Sequence, residues 1–213
     1  MRFGVLVVLV LSVLDPLSAR INQQSAGHSD DRQVAAGRMT KGTCYHSNHF
    51  NFTYRLPHRF IDRTEHLKNQ FRALRNYHAD PSTFILLYAA ERSKENADPK
   101  DWILIQIDAL SRYKFGPMAK NYTGGTEKDY LHDQITKAYT SAGEDLLQEG
   151  TEVSVSGKNF FRAEYIQHTP TSGYRTVMLT FRNGYALSWT FFAQSKAKAD
   201  LMASSIQHLV IAE

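Results

Sequence analysis

The chain has 213 residues, of which 42% are hydrophobic and 22% charged, and its 25 Lys and Arg against 21 Asp and Glu give a formal net charge of +4. That length is enough for one domain with a full core. The basic excess is spread along the chain and forms no stripe with stacking aromatics, which argues against nucleic-acid binding. Cys44 is the single cysteine, so an internal disulfide is excluded and stability must come from the core.

The N-terminus has the pattern of a secretory signal. Arg2 supplies a positive charge, residues 3–14 form an apolar run, and the small pair Ser18–Ala19 follows. A buried core strand would not explain that order. A membrane-spanning helix needs about 20 apolar residues, so this run is too short for a stable anchor. We therefore expect a signal peptide over residues 1–19, with the mature chain starting near Arg20 in a secreted or periplasmic location.

Residues 20–41, behind the predicted cleavage site, are polar and small and show no sustained hydrophobic period. Such a composition buries too little apolar surface to fold, so we expect a disordered tether. From residue 42 onward apolar residues recur with regular periods. We expect a single folded domain over residues 42–213.

The first part of this domain predicts a strand and then a helix. Phe50, Phe52 and Tyr54 alternate with polar residues, which is typical of a half-buried strand, and Pro57 ends it because proline cannot donate to a sheet ladder. Apolar residues at spacings of three and four then predict an amphipathic helix over residues 67–78.

The middle of the chain predicts two more strands and a second helix. The apolar runs at residues 82–92 and 101–110 indicate a strand pair joined by a loose polar loop. Both runs are apolar on successive residues, and such strands are usually covered on both faces. Residues 126–149 return to helical spacing, and Gly150 stands where that helix would stop.

The last third carries three strand patterns, KNFFRAEYIQ, GYRTVMLTF and YALSWTFFA, followed by a helix over residues 195–208. Asn183–Gly184 is the favoured pair for a two-residue type I′ turn, because both positions need positive φ. That turn fixes the register of the hairpin, so Trp189 should pair with Met178 and the remaining pairs follow by counting.

Large apolar side chains occur on both faces of these strands, and a sheet of that kind needs a packed layer on each side. The order of the elements is strand, helix, strand pair, helix, strand run and helix. We therefore expect an α+β fold, a three-layer α/β/α sandwich with a central, largely antiparallel sheet.

Two stretches of the domain carry a family resemblance. FNFTYRLP, residues 50–57, and the closing GKNFFRAEYIQ, NGYAL and DLMASSIQ segments are similar to the opening strand and the final strand, hairpin and helix of PsbP-like domains. That family takes its name from an extrinsic subunit of photosystem II, and a nuclear Ran-binding protein shares its fold. The resemblance covers residues 42–211 and departs at Phe60, where the family often has tryptophan, and at CYHSNH. It implies a non-enzymatic binding or assembly domain, with no shared catalytic motif to match.

The segment TCYHSNH, residues 43–49, holds the candidate metal or catalytic residues Cys44, His46 and His49. Zinc sites need three or four ligands, commonly as two separated pairs, and this short segment has no distant partner pair. A nucleophilic cysteine would need a histidine and an orienting group from elsewhere in the fold. We expect a strand entry with solvent-facing histidines, and we assign no catalytic, cofactor-binding or metal-binding residue.

Two further features have an ordinary explanation beside a functional one. Asn51 and Asn121 each begin a glycosylation sequon, but such triplets also arise by chance and need a eukaryotic secretory route. A group of aromatic side chains would line an apolar ligand groove or, more commonly, form core. The group consists of Tyr174, Tyr185, Trp189, Phe191 and Phe192.

The sequence as a whole predicts a secreted or periplasmic, non-enzymatic binding or accessory domain. It would contact a protein partner or an apolar small ligand, without nucleic acid, cofactor or stable membrane anchor. The alternative is an extracytoplasmic hydrolase or metal-dependent enzyme that uses the Cys44, His46 and His49 region. Metal analysis of the purified protein separates these two classes.

Overall fold

The computed structural model describes residue 34 and residues 37–73, 83–91, 103–111, 144–168 and 172–212. Within these residues the chain forms two antiparallel sheets and two α-helices. The strands are β1 (Gly37–Thr40), β2 (Cys44–Ser47), β3 (Phe52–Arg55), β4 (Phe60–Asp62), β5 (Thr83–Glu91), β6 (Leu104–Ser111), β7 (Glu144–Val155), β8 (Lys158–Gln167), β9 (Gly173–Arg182), β10 (Tyr185–Ala193) and β11 (Leu209–Ile211). The helices are α1 (Thr64–Ala73) and α2 (Lys196–Ser204), and a 3₁₀ helix follows at Ser205–His208.

The small sheet has the order β1-β2-β3-β11, and the large sheet has the order β4-β5-β6-β10-β9-β8-β7. The predicted three-layer α/β/α sandwich is therefore wrong, because the described chain is mostly β and one layer is a second sheet. The small sheet packs on one face of the large sheet, where the ring of Phe52 lies 5.3 Å from that of Trp189. We call this face of the large sheet, which carries Ile107 and Trp189, the core face, and the opposite one the far face.

Part of the error lies in the helix predicted over residues 126–149. Its last six residues, 144–149, belong to strand β7, which pairs with β8, and residues 126–143 lie outside the described part of the chain. The register of β7 shifts between Leu146 and Gln148 and again between Gln148 and Thr151. The helical spacing was carried by Leu131, Ile135, Ala138 and Ala142, which all precede the strand, and it was extended into β7 through Leu146.

The other helix predictions agree with the structure where it describes them. Residues 67–73 of the predicted first helix lie in α1, and residues 74–78 are outside the described range. The last helix appears as α2 and the 3₁₀ turn, with the predicted residues Ala199, Met202 and Ile206 buried.

The predicted strands and their register are confirmed. β5 and β6 form the expected antiparallel pair, and Trp189 lies opposite Met178 in the β9–β10 hairpin. Asn183 and Gly184 have φ of 50° and 79°, as a type I′ turn requires. The two turn residues were sufficient to predict the register, because the turn sets which residues of β9 and β10 pair.

The end of the predicted tether is ordered as a strand. Gly37–Thr40 forms β1 and pairs with β2, while the signal segment and most of residues 20–36 lie outside the described residues. Gly37 has a specific role in this pairing, because a Cβ built on it would lie 1.8 Å from the hydroxyl oxygen of Tyr45. The disordered tether remains a prediction for the residues before Gly37.

The main core fills the space between the two sheets and α2. Its largest fully buried side chains are aromatic, and they come from both sheets: Tyr54, Phe50, Phe52, Phe160, Trp189 and Phe191. A second, smaller apolar cluster occupies the far face and includes Phe161, Ala163, Tyr165, Val177 and Ala186. No helix of the described residues is long and apolar enough to span a membrane.

Candidate functional site

The predicted candidates Cys44 and His46 lie on strand β2, two residues apart, on the face of the small sheet that points away from the core. Both are half-buried, whereas their neighbours Tyr45 and Ser47 are buried beneath the sheet. The imidazole Nδ1 of His46 shares a 2.9 Å hydrogen bond with Thr53 Oγ1 on β3. Cys44 Sγ lies 4.0 Å from Thr43 Oγ1.

His49 lies beyond this pair, in the turn between β2 and β3. Its ring is not directed into solvent but packs edge-on against Phe50 and Tyr185, at centroid distances of 4.7 and 5.6 Å. Nε2 is buried without a hydrogen-bond partner in the described structure. His49 therefore belongs to the contact between the two sheets, and the expectation of a solvent-facing side chain does not hold for it.

The described residues contain no group of three His, Cys, Asp or Glu side chains placed to hold a metal ion. Cys44 and His46 contact different hydroxyl groups, and His49 turns toward Tyr185. A nucleophile and its base must lie within hydrogen-bonding reach of each other, and these three side chains do not have that arrangement.

The same sheet presents a feature that spans all of its first three strands. Arg38 on β1 lies opposite His46 on β2, and Arg55 on β3 lies opposite Cys44. Lys41 is in the β1–β2 turn, and Arg38, Lys41 and Arg55 are all exposed. We call these three residues, together with His46, the cationic face.

Among the described residues, no carboxylate forms an ion pair with Arg38, Lys41 or Arg55. From Gly37 to Ile61 the sequence contains no Asp or Glu. Cations elsewhere in the described structure do form ion pairs, such as Lys196 with Glu164 at 2.6 Å and Arg175 with Glu144 at 3.0 Å.

The sheet beneath the cationic face is held rigidly. Tyr54 is fully buried and its hydroxyl lies 2.6 Å from Ser205 Oγ, while Tyr45 contacts Phe52 at a centroid distance of 5.9 Å. Burial raises the pKa of both phenols well above the ordinary value, and the Asp62 carboxylate adds to the effect at Tyr45. These tyrosines remain neutral and act as structural supports.

Sequence reasoning missed the cationic face because it placed Arg38 and Lys41 in the tether. Pairing of β1 with β2 brings them onto the same sheet as Arg55. A signal was available in the sequence, because 25 consecutive residues, 37–61, lack any acidic side chain. Only the strand pairing turns that absence into a continuous surface.

Two other sequence features take their ordinary roles. Tyr185, Trp189 and Phe191 are buried in the main core, so the aromatic group serves mainly as core. Asn51 lies in the exposed β2–β3 turn with φ of 49°, and its carbonyl oxygen accepts a hydrogen bond from the Ala212 amide at 3.0 Å. Asn121 lies outside the described residues.

No family model matches the chain, and no curated protein matches it. Solved structures that are similar to it include the following three. A crystal structure from Bacteroides thetaiotaomicron VPI-5482 aligns at 12% identity and a TM-score of 0.44 over 82% of this chain, which spans 50% of that protein. The solution structure of cyanobacterial PsbP (CyanoP) from Synechocystis sp. PCC 6803 aligns at 12% identity and 0.45, over 93% of this chain and 100% of that one. LpqN, involved in cell envelope biogenesis of Mycobacterium tuberculosis, aligns at 10% identity and 0.42, over 76% and 83%.

These three similarities combine identities of 10–12% with TM-scores below 0.5. They transfer no residue, ligand, partner or activity to this chain. Membership of the PsbP-like family remains a prediction from the sequence motifs.

Proposed function

We propose that the protein is an extracytoplasmic, non-enzymatic binding domain that docks an acidic protein partner through its cationic face. One observation supports this best. Arg38, Lys41 and Arg55 are exposed on one small sheet, and none of them forms an ion pair with another described residue. The extracytoplasmic location rests on the secretory pattern of residues 1–19.

The spacing of the two arginines suits a protein ligand. Arg38 and Arg55 are two strands apart and displaced by two residues along the strands, which places their Cα atoms about 12 Å from each other. Shorter residues, among them Cys44 and Thr53, lie between them on the same face. Each guanidinium has a planar fork of donors that binds a carboxylate in two places, so two separated acidic side chains of a partner would be engaged at once.

A membrane surface is the competing occupant. Adsorption to lipid headgroups is usually reinforced by aromatic side chains that enter the interface, but the rings of Tyr45, Phe52 and Tyr54 are buried on the other side of this sheet. The large apolar side chain exposed on this side of the small sheet is Val210 on β11, which is 63% exposed. The face carries positive charge but few apolar side chains that could enter a membrane, and this combination favours a protein partner over a lipid surface.

The test measures binding of a short poly-L-glutamate peptide by fluorescence anisotropy, beside flotation with vesicles that contain phosphatidylglycerol. We expect salt-sensitive peptide binding that weakens about tenfold in Arg38→Glu/Arg55→Glu, since two favourable charges become two repulsive ones. Arg63→Glu is the matched single control for Arg55→Glu, because Arg63 is also exposed but lies between β4 and α1.

Three results would contradict the proposal. Equal loss in Arg55→Glu and Arg63→Glu would mean that net charge alone matters. Binding to the vesicles without binding to the peptide would assign the face to a membrane. Hydrolase activity abolished by Cys44→Ala would establish the enzyme alternative instead.

A further inference from the structure

His46 lies in the middle of the cationic face. In the small sheet it is the direct partner of Arg38 on one side and of Thr53 on the other. Arg55 stands diagonally from it, because Arg55 pairs with Cys44, two residues before His46 on the same strand. Directly opposed residues have Cβ atoms about 5 Å apart and diagonal neighbours about 7–8 Å. A carboxylate bound by either guanidinium therefore comes close to the imidazole.

The hydrogen bond of His46 is compatible with both charge states of the ring. Nδ1 lies 2.9 Å from Thr53 Oγ1. A hydroxyl group donates to a bare ring nitrogen or accepts from a ring N–H, and both nitrogens of the protonated ring are donors. Protonation therefore keeps the contact with Thr53, with Nδ1 as the donor, and makes the ring a cation whose Nε2 also carries a hydrogen.

The ionisable groups around His46 on the small sheet come from three strands and one turn. β1 contributes Arg38, β3 contributes Arg55, Cys44 precedes His46 on β2, and Lys41 lies in the β1–β2 turn. The tyrosines of β2 and β3 are buried on the other side of the sheet. β1, β2 and β3 contain no Asp or Glu. A carboxylate brought by a partner would meet a basic surface whose charge rises by one when His46 is protonated.

The imidazole is the part of this contact whose charge changes near neutral pH. Histidine is the side chain that ordinarily titrates between pH 5 and 8, whereas arginine keeps its charge throughout. The carboxylates of an acidic partner stay ionised at pH 6, since their ordinary pKa values are about 4. Lowering the pH from 8 to 6 therefore adds positive charge to the face without removing negative charge from the partner.

We propose that His46 is a further cationic contact of this face, which engages the acidic partner as an imidazolium, so that the partner binds more tightly at pH 6 than at pH 8. The proton comes from the solvent and is taken up as a carboxylate of the partner approaches the ring. Linkage requires this uptake, because a ligand that binds the protonated form better raises the fraction of chains that carry the proton. The inference rests on the proposed function and adds its regulation by pH.

A purely structural role of His46 predicts a different result. If the ring served only to hold Thr53, glutamine would replace it at every pH, because its amide also donates to or accepts from a hydroxyl group. Lysine carries its charge at both pH 6 and pH 8. His46→Gln and His46→Lys therefore separate the effect of charge from that of hydrogen bonding.

The experiment measures binding of a short poly-L-glutamate peptide to the exported chain by fluorescence anisotropy at pH 6 and pH 8, at one low ionic strength. We expect the unaltered chain to bind about threefold more tightly at pH 6. His46→Gln should lose most of this change and bind at pH 6 as the unaltered chain does at pH 8. His46→Lys should also lose it, but should keep the tighter binding at both pH values.

His168→Gln is the matched control, because His168 is 54% exposed and directly follows strand β8 of the large sheet. It should keep the threefold change. Isothermal titration at pH 7 in two buffers of different ionisation enthalpy then counts the protons. We expect uptake of a fraction of one proton per bound peptide, which His46→Gln abolishes and His168→Gln retains. Near-ultraviolet circular dichroism shows that each variant keeps the fold.

The outcomes separate this inference from the proposed function. Loss of binding at pH 8 in Arg38→Glu/Arg55→Glu, together with an undiminished pH dependence in His46→Gln, would support the proposed function and overturn the inference. A pH dependence that disappears in Cys44→Ala and persists in His46→Gln would assign the titration to the thiol and overturn it as well. Absence of peptide binding at both pH values would overturn both.

Discussion

The amide Nδ2 of Asn183, at the tip of the β9–β10 hairpin, donates a 2.7 Å hydrogen bond to the carbonyl oxygen of His49 in the β2–β3 turn. This contact joins the two sheets across 134 residues of sequence. Two others reinforce it, because Arg182 donates to the Ala212 carbonyl and Ser156 Oγ donates to the Leu209 carbonyl at 2.6 Å. The tips of two hairpins of the large sheet therefore hold the small sheet in place.

The first prediction distinguishes the two contributions of Asn183, which are its positive φ in the turn and its hydrogen bond to His49. Asn183→Gly keeps a residue that tolerates positive φ and loses the hydrogen bond to His49, so we expect a loss of about 0.5–1.5 kcal/mol in the free energy of unfolding. Asn183→Ala also strains the turn and should cost about 1 kcal/mol more. Urea denaturation measures both, and equal stability of the two variants would mean that the turn imposes no strain.

The second prediction concerns Gly184, whose φ is 79°. A β-branched side chain is strongly disfavoured there, so Gly184→Val should lower the free energy of unfolding by about 1–3 kcal/mol. Thermal melts measure the change. Thr190→Val is the control, because it places the same residue at a half-buried position of strand β10. A Gly184→Val melt no lower than that control would contradict the turn assignment.

The third prediction addresses Cys44, His46 and His49 separately, because their surroundings differ. Cys44→Ser and His46→Gln on the outer side of β2 should each change stability by about 0.5 kcal/mol or less. His49→Gln removes a ring packed against Phe50 and Tyr185 and should cost about 1–2 kcal/mol. All variants must retain Gly37–Thr40, because a chain that begins at Lys41 lacks strand β1.

Elemental analysis of the same proteins tests the metal alternative directly. We expect no stoichiometric zinc and no change of the melting temperature on addition of a chelator. One zinc per chain, lost in the Cys44 or histidine variants together with several kcal/mol of stability, would reverse that conclusion.

The fourth prediction is a pH dependence of stability that comes from Asp108. Its carboxyl pKa is about 7 in the folded protein against 3.8 for the free side chain. Between these values the folded state binds more protons than the unfolded state, so the free energy of unfolding should fall as pH rises from 4 to 7. A contribution on the order of 1–4 kcal/mol is expected, since the residue as a whole is only half-buried.

Urea denaturation across that pH range measures the dependence. Asp108→Asn should flatten it and should be more stable than the unaltered protein at about pH 8, where the buried charge is removed. Asp145→Asn is the control, because it removes one carboxylate whose side chain is 75% exposed. An unchanged slope in Asp108→Asn would mean that another group is responsible.

The fifth prediction concerns processing. If residues 1–19 are a secretory signal, mass spectrometry of the exported protein should find a mature N-terminus near Arg20. An exported chain that still carries residues 3–14 would favour an apolar anchor.

The sequence alone determined those parts of the structure that depend on neighbouring residues. The Asn183–Gly184 turn needs positive φ at both positions, and that local requirement fixed the β9–β10 register, including the pairing of Trp189 with Met178. The final helix followed in the same way from its apolar spacing, with Ala199 and Met202 on the buried side. The same local interpretation failed at residues 144–149, because a spacing carried by residues 131–142 was extended through Leu146 into strand β7.

The tertiary structure decided everything that depends on which strands meet. Arg38 and Arg55 are 17 positions apart, and pairing of β1, β2 and β3 places them on one face. His49 became a contact between sheets because Tyr185 packs against it from the distant hairpin. Sequence periodicity records which side of an element is apolar, but it does not record which other element covers that side, and the long-range packing of the two sheets supplies this information.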